Sequence, residues 1–166
     1  STPLHIACEF GLEDGVMMRR YGGHRDIVEL LLKNNADPNK ARKDKSTPLH
    51  IASLNGHAEV LKLLLAVDAD PAAPTHTANT QPLHLAAASA NSKSLKILLD
   101  RGVDVNAREG AWGQTALTFA ASAGRVENVR LLLAAGADPA ITSNVIDTAE
   151  MERGDQAANQ RLVAIL

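Results

Sequence analysis

The sequence predicts an all-α repeat solenoid, and three observations predict it. First, one motif recurs: TPLHIA at Thr2–Ala7 and Thr47–Ala52, PLHLAA at Pro82–Ala87, and TALTFAA at Thr115–Ala121. Copies starting at Thr2, Thr47, Gln81 and Thr115 lie 45, 34 and 34 residues apart, and a fixed period of about 20–50 residues marks a repeat architecture. Second, each copy is followed by an aliphatic segment at helical spacing, such as Val60-Leu61 with Leu63-Leu64-Leu65, and then by an ADP or GxD turn. Third, hydrophobic residues make up 45% of the chain but aromatics only 2%. A core that is aliphatic and alanine-rich suits thin helical layers in close contact.

The second copy shows why each element forms. Thr47 stands as N-cap, and Pro48 takes the first helical position, where its missing N–H costs nothing. Leu49, Ile51 and Ala52 are expected to point into the stack, with Ala52 and Ser53 keeping the helix thin. Gly56 supplies a left-handed C-cap. In the second helix Val60, Leu61, Leu64 and Leu65 form one apolar face. Helices this short are marginal alone, since those under about 12–15 residues rarely hold in water. Stacking on neighbours must stabilise them, which gives a quasi-one-dimensional array. Leu64→Ala is expected to cost roughly 2–5 kcal/mol, the range for a buried leucine.

The other copies vary the theme. The first carries an insertion, Leu12 to Gly23, whose three glycines make it a loop while Val16, Met17, Met18 and Tyr21 give it apolar surface. Two readings stand: a loop over its own repeat, or an added contact patch, since methionine-rich loops adapt to partners. The first finger, Asn35 to Ser46, holds Lys40, Arg42, Lys43 and Lys45, read either as a solvated tip or as a dock for an acidic segment. The second, Asp68 to Thr80, is almost uncharged, and the third, Gly102 to Gln114, holds the single tryptophan, Trp112. Residues 144–166 read as a degenerate last repeat, with Leu162, Val163, Ile165 and Leu166 as its apolar face. One domain, 1–166, follows, with repeats at 2–46, 47–80, 81–114, 115–143 and 144–166.

These motifs resemble the ankyrin repeat family, whose unit is about 33 residues carrying T-P-L-H-x-A. The resemblance spans nearly the whole chain, and the segment 113–139 is similar to bacterial members. It implies a helix-turn-helix plus hairpin finger per repeat, with His5, His50 and His84 hydrogen-bonding between neighbouring repeats. It also implies a protein partner across the concave face of finger tips and first helices. The positions so implied are Glu9 and Phe10, then Arg42, Lys43, Asp44 and Ser46. Leu54, Asn55, His76, Thr77, Trp112 and Gln114 complete the set. Phe10, Leu54 and Trp112 are its apolar anchors, because such side chains there face solvent unless covered. For Trp112 packing flat on its own finger is the alternative. Phe119, at the Ile51 position, is expected in the core.

Other chemistry finds no support in the pattern. A net charge of −2 argues against nucleic acid, which needs a basic face. No apolar run approaches the roughly 18 residues that span a membrane. No phosphate-loop, nucleophile-elbow, zinc-protease or paired C-x-x-C motif occurs. The motif histidines repeat about one layer, roughly 10 Å, apart, too far to share a metal. Cys8, at a small-residue position, is expected buried and inert, and Asp147, Glu150, Glu152 and Asp155 form a solvated helix face. No cofactor, metal or catalytic set is expected, and composition leaves the compartment open. No charged-then-apolar leader precedes Ser1. Both ends look uncapped: Leu4, Ile6, Ile27, Leu30 and Leu31 at one, Leu162 and Leu166 at the other. Head-to-tail stacking of copies is therefore a second functional expectation, and service as the interaction arm of a larger protein a third.

Overall fold

The computed structural model describes residues 1–9, 24–76 and 78–144. Phe10, the insertion Leu12 to Gly23, Thr77 and the degenerate repeat beyond Asn144, with its acidic and apolar faces, lie outside these residues. Eight helices follow one another among the described residues: α1 (Pro3–Glu9), α2 (Arg25–Lys33), α3 (Pro48–Asn55), α4 (Ala58–Ala66), α5 (Pro82–Ala88), α6 (Ser92–Asp100), α7 (Ala116–Ser122) and α8 (Val126–Ala134). Consecutive helices pair as hairpins. The odd-numbered helices pack on one another in an inner row and the even-numbered ones in an outer row. The result is the all-α repeat solenoid that the sequence predicts.

The helix starts follow the motif chemistry. Thr47 holds an extended backbone before α3, and Pro48 opens the helix. His50 completes the cap: its Nδ1 accepts from the Thr47 N–H at 3.1 Å. Its Nε2 donates to the Thr80 carbonyl at 3.0 Å, so one imidazole caps the helix and holds the end of its own finger. The pairings fix the tautomer, because an amide N–H can only donate and a carbonyl can only accept. His5 and His84 repeat the arrangement with the Ser46 and Ala107 carbonyls, at 3.2 and 3.0 Å, so each motif histidine ties its helix to the finger of its own repeat and not, as the resemblance implies, to a neighbouring repeat. At the other end, Gly56 adopts φ +73°, where a Cβ would come within 2.6 Å of Ser89 Oγ and 2.7 Å of Asn91 Cβ. Both the left-handed conformation and the close approach of the next repeat demand glycine there.

Between the two rows lies an aliphatic core. Leu49, Leu61, Leu64, Leu83, Leu95, Leu98 and Leu132 are fully buried, and small residues (Ala52, Ala86, Ala120) let the inner helices approach. Two expectations need correction. Ile51 and Phe119 are only partly buried, because their place in the motif turns them toward the fingers; Phe119 stands edge-on to His84 at 5.3 Å. At the amino-terminal end Leu4 is buried and Leu31 half-buried, whereas Ile6, Ile27 and Leu30 are exposed. Ile27 is 46% exposed, while Val60, Ser94 and Asn128, at the same place in later helices, are buried by the preceding helix pair.

The fingers are tight hairpins without strands among the described residues, apart from one isolated bridge, Arg108 to Thr115. Each is closed by a backbone bond: Arg42 N–H to the Ser46 carbonyl, Thr75 to Thr80, and Glu109 to Gln114. Their tips are joined in sequence. The His76 N–H donates to the Asp44 carbonyl, Gly110 to Ala78, and Asn144 to Trp112. Finger bases are also clamped by asparagine. Asn39 donates to the Asp68 carbonyl and accepts from the Asp70 N–H, and Asn106 does the same with Gly136 and Asp138.

Candidate functional site

A depression of about 250 Å³ lies between the inner helices and the fingers. It is bounded by Arg42, Asp44 and Ser46 of the first finger, and by His50, Ile51 and Leu54 of α3. Thr75 and Thr80 of the second finger and Leu85 of α5 complete it. Its floor is aliphatic. Ile51 and Leu85 are half-buried, and Leu54 is 51% exposed.

Polar groups line the finger side. A terminal guanidinium nitrogen of Arg42 donates to Glu9 Oε2 at 3.0 Å, across a side chain only 21% exposed. Arg42 Nε is buried with no acceptor among the described residues. Asp44 Oδ1 accepts from the Ser46 hydroxyl at 2.7 Å and the Ser46 N–H at 3.0 Å. These bonds from Ser46, the hydroxyl's foremost, hold the Asp44 carboxyl below its ordinary range. The bound hydroxyl shows that Ser46 is not the outward contact the resemblance implies. It is buried, and its carbonyl takes up His5. Ser46 builds the finger.

The remaining positions scatter. Lys43 and His76 are exposed on their finger tips, and Asn55 lies exposed at the end of α3, its amide donating to the Ile51 carbonyl at 3.1 Å. Gln114 is half-buried and serves through its main chain. Trp112 stands on the third finger, outside the depression, with 47% of its surface exposed. The structure therefore gathers Arg42, Asp44, Ser46 and Leu54 at one site, with Glu9 behind Arg42, and leaves Trp112 and Gln114 apart.

Sequence reasoning missed three contributors. Ile51 and Leu85 line the floor, and the signal was present: the x of TPLHxA is large and apolar in every copy (Ile6, Ile51, Leu85, Phe119). Glu109 is the third. It is buried within the third finger, where its carboxylate accepts from the N–H groups of Ala111, Trp112 and Gln114 at 2.7, 2.6 and 3.0 Å. Burial pushes its carboxyl up, but the N–H donors of Gln114, Ala111 and Trp112 outweigh it and leave it below the ordinary value. The Trp112 backbone is thereby rigidly held. An acid followed by glycine at a hairpin tip was the available clue.

Burial pushes the Cys8 thiol up to about 12, so it stays protonated and a poor nucleophile. Among the described residues no three His, Cys, Asp or Glu side chains gather as a metal site. Nor is any described helix long and apolar enough to cross a membrane.

Short antiparallel helix pairs, histidine-capped and joined by linked hairpin fingers, define a helical-repeat protein with a trough along one side. A family model described as ankyrin repeats matches residues 16–109 and 75–143, in three copies. The chain belongs to the ankyrin-repeat family. Its repeats are generally protein–protein interaction modules and typically non-enzymatic. A search of curated proteins finds no match.

Proposed function

We propose that this chain is a non-enzymatic module that binds a protein partner in the trough between inner helices and fingers. Leu54 is the primary anchor and Trp112 a second one. Glu9, Arg42, Lys43, Asp44, Asn55, His76 and Gln114 supply the polar rim. The single observation that carries this reading is Leu54, a leucine half exposed on an aliphatic floor. Partner anchors concentrate a few residues' worth of binding energy in such places. A photo-crosslinking residue at position 54 is expected to capture a partner that the same residue at Lys96, exposed on the outer row, does not. Leu54→Ser and Trp112→Ala should each weaken that complex by roughly tenfold or more, with helicity unchanged. Wild-type affinity in both variants, together with capture from position 96, would move the site to the outer helices.

End-to-end stacking of copies is a second reading, favoured by the exposed Ile27 beside Leu30 on α2. Heterologous contacts of that kind do not close, and they grow with concentration. A mass that rises with concentration and returns to 17.6 kDa in Ile27→Lys would support it. A constant mass would remove it.

A further inference from the structure

We infer that the depression at the first finger takes an extended peptide segment carrying a carboxylate side chain beside a large aliphatic one. The inference rests on the trough reading above and adds the chemistry of the occupant. Three observations carry it.

The floor asks for an aliphatic group. Ile51, Leu54 and Leu85 meet there without a polar side chain among them, and Leu54 is left half in water. Covering it removes apolar surface from solvent. The site is nonetheless open and about 250 Å³, below the roughly 300–1,000 Å³ of pockets that enclose a small molecule. A side chain borne on a passing peptide fits such a site.

The wall asks for an acceptor. Arg42 spends one terminal nitrogen on Glu9 and keeps 21% of its side chain exposed. Guanidinium groups match carboxylates in a planar fork. An arriving carboxylate meets the exposed part of that side chain and shares its charge with Glu9.

The tip of the first finger carries an excess of positive charge. Lys43 and Lys45 stand exposed there beside Arg42. Against these three cations stand Glu9, paired to Arg42, and Asp44, bonded to Ser46, while Lys40 shares the finger bases with Asp37, Asp68 and Asp70. The facing tip of the second finger, Thr75, His76, Ala78 and Asn79 among the described residues, has no carboxylate to offset them. Charge complementarity therefore selects an acidic segment and speeds its arrival.

The test uses the whole chain and a short fluorescein-labelled peptide of alternating aspartate and leucine. Lysine–leucine and aspartate–serine peptides serve as controls, with anisotropy and leucine-methyl NMR as readouts. The aspartate–leucine peptide should bind, weaken with salt, and shift the Leu54 and Leu85 methyls. Both controls, and the variants Arg42→Gln and Lys43→Glu, should bind roughly tenfold or more weakly. Lys43 makes no side-chain bond among the described residues, so its variant reports on charge even if Arg42→Gln disturbs the finger. Lysine–leucine binding as tight as aspartate–leucine, with the same methyls shifting, overturns the acidic partner but leaves the trough reading standing. No shift at Leu54 or Leu85 with any peptide brings down both.

Discussion

His50 shows what a single side chain does in this fold. Its Nδ1 is committed as acceptor to Thr47 and its Nε2 as donor to Thr80, so a second ring proton would break the cap that starts α3. Burial lowers its pKa from 6.5, and the Thr80 and Ala73 backbone and the charges of Asp44 and Asp70 offset this only in part. His5, His57 and His84 are lowered as well, each chiefly by burial. Near His84 the Glu109 carboxylate opposes the shift, and near His5 the Arg42 charge adds to it. The sign follows from linkage: the unfolded chain takes up protons near pH 6.5 that the folded chain resists. Stability is therefore full above that pH and lost as pH falls through it toward the folded values. Thermal melts should show a constant Tm above about pH 7 and a falling one below about pH 6.5, with a shallower fall in His50→Gln. A wild-type Tm that holds level down to about pH 5 would contradict this. The capping roles of Thr47 and Gly56 were legible from residue type and spacing. The inward turn of Ser46 was not, because a serine at a finger end satisfies its hydroxyl equally well in water or on a neighbouring carboxylate.

At the level of elements, the fingers are held as much by side-chain clamps as by their own turns. Asn39 and Asn106 each tie one finger base to the next with two bonds. The second finger has Ala72 at the corresponding place, two residues after Asp70. By the geometry of the other two, the groups left without a clamp are the Gly102 carbonyl and the Asp104 N–H. Ala72→Asn should restore the rung and stabilise by about 1 kcal/mol, the net worth of an intramolecular hydrogen bond. The expected rise in Tm is roughly 2–4 °C. An unchanged Tm would mean the finger bases are spaced differently there. The aspartates of these turns are visible in the sequence as a repeated ADP pattern. Which asparagine reaches across to the next repeat is a matter of register between repeats, and only the assembled fingers show it.

Across the whole molecule, polar ties are uneven from junction to junction. The last junction has Asn128, whose amide donates to the Ala87 and Ser89 carbonyls at 2.8 and 2.9 Å, and Arg125, which reaches the Ala88 carbonyl at 2.9 Å. At the middle junction the Asn128 place is taken by Ser94. Its hydroxyl, like that of Ser53, is buried without a partner among the described residues. The described side-chain tie there is Asn91 to the Gly56 carbonyl. Since each repeat is stabilised mainly by its neighbours, the array should open first between α3–α4 and α5–α6. Native-state hydrogen exchange across a denaturant series is the check: amides of the two helix pairs should separate into two opening units. In Ala72→Asn the units should draw together, and one common unit in the wild-type chain would refute the middle junction as the weak point.

The repeat period, the helix pairs, their capping residues and the leucines of the core were all readable in the residues alone. These follow from local chemistry: proline and threonine at helix starts, glycine where φ is positive, and leucines at helical spacing. Through the resemblance of its motifs the sequence also pointed to the face proposed for a partner. Which of those residues meet was set by the packing of repeat on repeat. Ile51 and Leu85 became the floor of a groove, Arg42 found Glu9 thirty-three positions away, and Ser46 turned inward. Such pairings depend on how one repeat is rotated against the next, a quantity that no single repeat encodes and that the packed stack alone sets.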